Sequence, residues 1–97
     1  MLTLPIKKKW YNMILSGEKK EEYRDMTPYY DSRLGKHFFV NEGTLTSEEF
    51  EVCFRNGYRK ESPSFVAYVR PHIGFGKVEW GAEPDVQYYV LEIVRIL

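Results

Sequence analysis

With 97 residues, 43% of them hydrophobic and 16% aromatic, the chain has apolar material for one compact core and too little for two, so a single domain over 1–97 is expected. Fourteen basic residues balance fourteen acidic ones, which excludes a whole-molecule field that would draw in nucleic acid. A lone cysteine, Cys53, with only His37 and His72 as further soft ligands, excludes an internal disulfide and a cysteine-built metal site, and no metal or other cofactor is expected.

The chain opens MLTLPIKKKW, with its basic and apolar parts in the wrong order for a secretory signal, and no terminal stretch is apolar enough to span a bilayer. A cytoplasmic protein without membrane contact is expected. Leu2, Leu4 and Ile6 alternate with Thr3 and Pro5, the period of a half-buried strand. Trp10, Met13, Ile14 and Gly17 then fall at helical spacing, with Tyr11 and Leu15 widening the apolar face; this predicts a helix over 7–16 that ends at Gly17. Its first turn holds Lys7, Lys8 and Lys9, either a solvated basic turn or an edge that faces an anion. Positive charge also gathers here more widely. Residues 1–37 hold eight Lys/Arg against five Asp/Glu, and residues 38–97 hold six against nine.

Residues 20–25 read as extended, with Tyr23 the only large apolar body among alternating charges. Thr27 before Pro28 is a helix start, with Thr27 as cap and proline at the first helical position, and Gly35 supplies a stop, which predicts a two-turn helix. Within it Tyr30 and Leu34 stand four apart, a core contact more than a stacking platform. NEGTLTSEE at 41–49 reads as a loop. Phe50, Val52 and Phe54 alternate with Glu51, Cys53 and Arg55 before Asn56-Gly57, which predicts a strand and a tight hairpin turn. SFVAYV and IGFGKVEW read as two further strands, the second loosened by Gly74 and Gly76. The closing YYVLEIVRIL is apolar at nearly every residue, as in a strand buried on both faces. Strand, helix, strand, short helix and then mostly strands describes an α+β chain, a small mixed barrel with short flanking helices.

The densest chemistry lies in GEKKEEYR at 17–24. On a strand, Glu22 and Arg24 share a face while Tyr23 takes the other. Lys19 is out of phase with Glu22, but it lies next to the flexible Gly17, which can turn its ammonium inward. Exposed, a Glu–Arg pair contributes roughly 0–1 kcal/mol and is ordinary surface; in a cleft the same groups make a site. Cys53, with no histidine near it in sequence, reads as a quiet thiol. His37 and His72 read as histidines in loops or at strand ends.

Gly17, Lys19, Glu22 and Arg24 form GxKxxExR, the motif of the ASCH domain family, which the chain resembles. FRNGY at 54–58, EWGAEP at 79–84 and the closing YYVLEIVRIL extend the resemblance over almost the whole chain. The resemblance implies a PUA-like β-barrel and a cleft that binds RNA or a modified nucleoside or nucleotide. Lys19, Glu22 and Arg24 would form it, with Tyr29, Tyr58 or Trp80 as stacking aromatics and Arg33 reaching toward an anion. A branch of the family hydrolyses N4-acetylcytidine, which makes amide hydrolysis with Lys19 and Glu22 as catalytic groups the alternative. Here a glutamate, Glu22, stands where that branch has a threonine nucleophile, and the stretch between Trp80 and Gln87 is too short for its helical insert. A protein-interaction module using the aromatic surface is a third reading.

Overall fold

The computed structural model describes residues 1–97. In chain order it contains β1 (Leu2–Pro5), α1 (Lys8–Leu15), β2 (Glu21–Asp25), α2 (Pro28–Phe38), β3 (Phe39–Asn41), β4 (Thr44–Leu45), β5 (Phe50–Arg55), β6 (Ser64–Phe75), a 3₁₀ turn (Val78–Trp80) and β7 (Gln87–Ile96). Five strands form one mixed sheet in the order β1-β5-β6-β7-β2. The β1–β5 pair is parallel and the other three are antiparallel. The sheet curls into a half-barrel, and the β6–β7 register slips between Tyr68 and Val69, an irregularity of the kind that increases local twist. No helix is long and apolar enough to cross a membrane.

One face of this sheet, together with both helices, encloses the main core. Leu4 from β1, Val52 and Phe54 from β5, Ala67 and Val69 from β6, and Tyr89 and Leu91 from β7 meet Tyr11 and Ile14 of α1 and Leu34 and Phe38 of α2. The opposite face buries a smaller group, Tyr88 and Val90 with Ala82, and Tyr23 packs against it. Tyr88 through Leu91 are all buried, and their alternation between the two groups explains why β7 reads as a continuous apolar run.

Four expectations are corrected by the tertiary structure. Gly35 does not end α2, which runs on to Phe38. Leu34 and Phe38, four apart, are both fully buried, and that burial outweighs the roughly 1 kcal/mol that glycine costs inside a helix. The 41–49 segment is not entirely loop, because β3 and β4 pair as a small hairpin across Gly43, whose φ is +79°. Asn56-Gly57 does not make a tight hairpin. β5 and β6 are joined by residues 56–63, closed by the Asn56 amide donating to the Pro63 carbonyl at 2.8 Å, because Pro63 has no N–H to extend the ladder. SFVAYV and the start of IGFGKVEW are one twelve-residue strand. Pro71 sits inside it, past the last residue that pairs with β5, where β6 has a neighbour on one side only and a missing N–H is tolerated. The rest of that segment, Val78–Trp80, is a 3₁₀ turn. His37 accordingly lies on α2 and His72 within β6, not in loops.

Gly35 has nothing within 4 Å of an added Cβ and no positive φ. Gly35→Ala is therefore expected to stabilise the protein by about 0.5–1 kcal/mol. A urea midpoint that falls would show that the helix needs glycine there.

Candidate functional site

The geometry of the GEKKEEYR segment begins at the end of α1. Gly17 takes a left-handed conformation, φ +84°, and its amide donates to the Ile14 carbonyl at 3.1 Å. Two residues on, the Lys19 amide donates to the Met13 carbonyl at 2.9 Å. The turn thus ties Lys19 to the helix end before β2 starts at Glu21, so strand parity does not govern its side chain. Lys19 is 1% exposed. Its Nζ donates to the Trp80 carbonyl, lies 3.3 Å from Glu22 Oε1, and sits 4.8 Å and 4.9 Å from the ring centres of Trp10 and Tyr23. The two aromatic faces and the carbonyl replace the water that the ammonium loses.

Glu22 and Arg24 lie opposite Leu91 and Tyr89 of β7 and so share the face of the main core. Tyr23, between them, takes the other face as alternation requires. Glu22 Oε2 accepts from Arg24 Nη2 at 2.7 Å. The same Nη2 donates to the Pro5 carbonyl at 2.7 Å, and Nη1 donates to the Tyr30 hydroxyl at 3.0 Å. Pro5 belongs to β1 and Arg24 to β2, the two outermost strands of the sheet. One guanidinium therefore bridges both open edges of the half-barrel. Its Nε is buried without a hydrogen-bond partner.

The electrostatics follow from burial of two cations around one anion. Burial lowers the Lys19 pKa from its ordinary 10.5, and the nearby Glu22 carboxylate opposes that shift without overcoming it. For Arg24 burial works against the charge, but Glu22 and the Tyr30 hydroxyl outweigh it and the pKa is raised. Burial likewise raises Tyr23, whose hydroxyl donates to Glu21 Oε1 at 2.7 Å and accepts from the Lys77 amide at 3.0 Å.

The segment from Gly76 to Ala82 caps this cluster. A Cβ on Gly76 would come within 2.6 Å of the Tyr23 ring and 2.7 Å of Ala82, and one on Gly81, at φ +104°, within 3.0 Å of the Trp10 ring. Close backbone approach is what lets the Trp80 carbonyl reach Lys19. In EWGAEP, then, the working atoms are a carbonyl oxygen and the space left by a glycine.

In front of the Glu22–Arg24 pair opens a cleft of about 600 Å³, where Pro5 and Ile6, the start of α1 with Lys7 and Trp10, Tyr30 of α2, and Asn56 to Tyr58 come together. Of the residues expected to form a site, Glu22, Arg24 and Tyr58 line it. Lys19 joins the charge cluster from behind Glu22 and does not line the cleft. Trp80 contributes its carbonyl, while its ring lies under the Lys77 ammonium at 4.5 Å. Tyr29 and Arg33 are elsewhere: the Arg33 guanidinium rests over the Tyr29 ring at 4.6 Å and faces a different concavity. Trp10, Tyr30 and Asn56 are lining residues that sequence reasoning assigned to a helix face, a core contact and a turn. The Pro5 carbonyl had no side-chain signature to find.

Glu22→Gln leaves two buried cations without a counter-charge, and a loss of about 3–5 kcal/mol is expected in urea unfolding. Lys19→Met leaves a balanced Glu22–Arg24 pair and an unsatisfied Trp80 carbonyl, and about 1–3 kcal/mol is expected. Equal losses would show that the carboxylate is not the centre of the cluster. Because the folded state holds the Lys19 proton less tightly than the unfolded chain, stability from this group rises with pH between its lowered folded pKa and 10.5. Tyr89, raised by burial and by Asp31 to about 12, acts oppositely: its contribution is present below its ordinary 10 and is lost as pH climbs toward 12. The alkaline rise below pH 10 should be absent from Lys19→Met, and its persistence there would assign it to another group. Comparison with protein-family models, with curated proteins and with solved structures returned no significant match, so the site is interpreted from its geometry.

Proposed function

We propose that the protein binds single-stranded RNA or a modified nucleotide in the cleft in front of Glu22 and Arg24, as its resemblance to ASCH domains, with their PUA-like barrels, implies. The observation that carries this reading is the pairing of a buried, charge-assisted Glu–Arg contact with aromatic walls. Trp10, Tyr30 and Tyr58 all line the same cleft. A base needs a π-face to stack on and a polar edge to pair with, and a phosphate needs a cation. Tyr58 is 90% exposed, a large aromatic surface with no protein partner to account for it. Lys7 is exposed at the rim and supplies a screenable positive charge.

Amide hydrolysis of an acylated nucleoside receives less support. It requires the Lys19 amine at the reacting atom, and that amine is occupied by the Trp80 carbonyl and Glu22 behind the cleft wall. The feature in its favour is the lowered Lys19 pKa beside a carboxylate, a pattern that recurs at catalytic sites. Turnover of N4-acetylcytidine at high protein concentration, lost in Lys19→Ala, would establish it and displace the binding reading.

Tyr58→Ala removes an exposed ring and leaves the core intact, so the variant is expected to unfold like the parent. Affinity for a single-stranded oligoribonucleotide, followed by fluorescence anisotropy, should weaken by about 1–3 kcal/mol, roughly 5- to 150-fold. Binding should also weaken as salt rises. No binding to a mixed-sequence pool, or binding indifferent to Tyr58, would refute the assignment of this cleft.

A further inference from the structure

A second concavity of about 570 Å³ lies at the other end of β1 and α2. Leu2 and Thr3 form one wall and Ser32, Arg33, Lys36 and His37 the other. Positions 32, 33, 36 and 37 recur at helical spacing and present one face of α2. Two cations, an imidazole and two hydroxyls thus converge, and no carboxylate lines the space. Arg33 and Lys36 are exposed, and neither takes part in an ion pair, all of which involve other residues. In a chain whose charges balance overall, this is a local excess of donors without an acceptor, the chemistry that oxyanions satisfy.

The groups are also held in place. The His37 ring stacks on Phe50 at 4.4 Å and 16°. The Arg33 guanidinium lies on the Tyr29 ring at 4.6 Å, and Tyr29 in turn meets Tyr30 edge-on at 5.0 Å. Tyr30 lines the first cleft. Tyr30, Tyr29 and Arg33 therefore form an unbroken path of contacts from one concavity to the other, with Tyr29 exposed along the way. On β1 the step from Thr3 to Pro5 is roughly 7 Å, about two stacked nucleotide rises of 3.4 Å each.

We propose that this second concavity is a phosphate site, and that it holds a phosphate of the same single strand whose bases occupy the first cleft, with Tyr29 stacking a base between them. The inference rests on the nucleic-acid reading for the identity of the strand, but not for the oxyanion chemistry itself. Thr3 and Ser32 donate through their hydroxyls, Lys36 through its ammonium, and Arg33 through a planar fork suited to two phosphate oxygens.

Inorganic phosphate and a single-stranded oligoribonucleotide of about ten nucleotides separate the two claims. Titrating the protein with inorganic phosphate should shift the amide resonances of Ser32, Arg33, Lys36 and His37 saturably. Arg33→Ala combined with Lys36→Ala, both at exposed positions, should abolish the effect. In the same double variant, the slope of log affinity for the oligoribonucleotide against log salt should fall in magnitude by about 0.7, the loss of one phosphate contact. Scattered or unsaturable shifts with phosphate overturn the site. Saturable phosphate binding with an unchanged slope overturns the shared strand and leaves a small phosphate compound as the ligand. Oligoribonucleotide binding that depends on Tyr58 but not on Arg33 and Lys36 overturns this inference and spares the first cleft. Phosphate binding without any oligoribonucleotide binding overturns both the first cleft and the shared strand, and leaves only the oxyanion site.

Discussion

The arrangement depends on one guanidinium that connects the two edges of an open sheet. β1 and β2 are the outermost strands and share no backbone ladder, so the half-barrel has two rows of unpaired backbone groups facing a common opening. Arg24, on β2, donates to the Pro5 carbonyl on β1 while it holds Glu22 and the Tyr30 hydroxyl. A side chain with a fixed planar fork can reach three acceptors in one geometry, which a lysine at this position would not reproduce. Closure by a side chain leaves a gap beside it. That gap is the cleft.

The charges that close the sheet also set the character of the site. Removing Lys19, Glu22 and Arg24 from water costs several kcal/mol per ion, and their mutual attraction offsets this only if the remaining hydrogen-bonding capacity is met. Much of it is met here by groups from distant segments: the Trp80 carbonyl, the Pro5 carbonyl, the Tyr30 hydroxyl, and the faces of Trp10 and Tyr23. The cluster consequently ties α1, β1, β2, α2 and the loop after β6 to one another.

Much of this was legible along the chain. The alternation of Leu2, Leu4 and Ile6, the helical spacing of Trp10 to Ile14, the Thr27-Pro28 start and the Phe50–Phe54 strand depend on local periodicity, which survives into the fold. The turn at Gly17 was also readable, because only a left-handed residue ends that helix and sends Lys19 back toward the strands. Glu22 and Arg24 share a face by strand parity alone. Where local cues misled, a distant contact had prevailed. Phe38 entering the core carried α2 through Gly35, and pairing with β7 kept β6 continuous through Pro71 and Gly74.

The sequence by itself determined which residues could carry charge into the interior, and in what order strands and helices would follow one another, since both are properties of neighbours in the chain. Tertiary structure alone decided what those charges meet. It brought the carbonyls of Pro5 and Trp80 to Arg24 and Lys19, turned Trp10 and Tyr30 into cleft walls, and carried Arg33 around α2 to a second concavity. The reason is physical: every residue carries a carbonyl, and every helix face has a direction that is fixed only by what it packs against. Neither leaves a mark in residue type or spacing until the chain has folded.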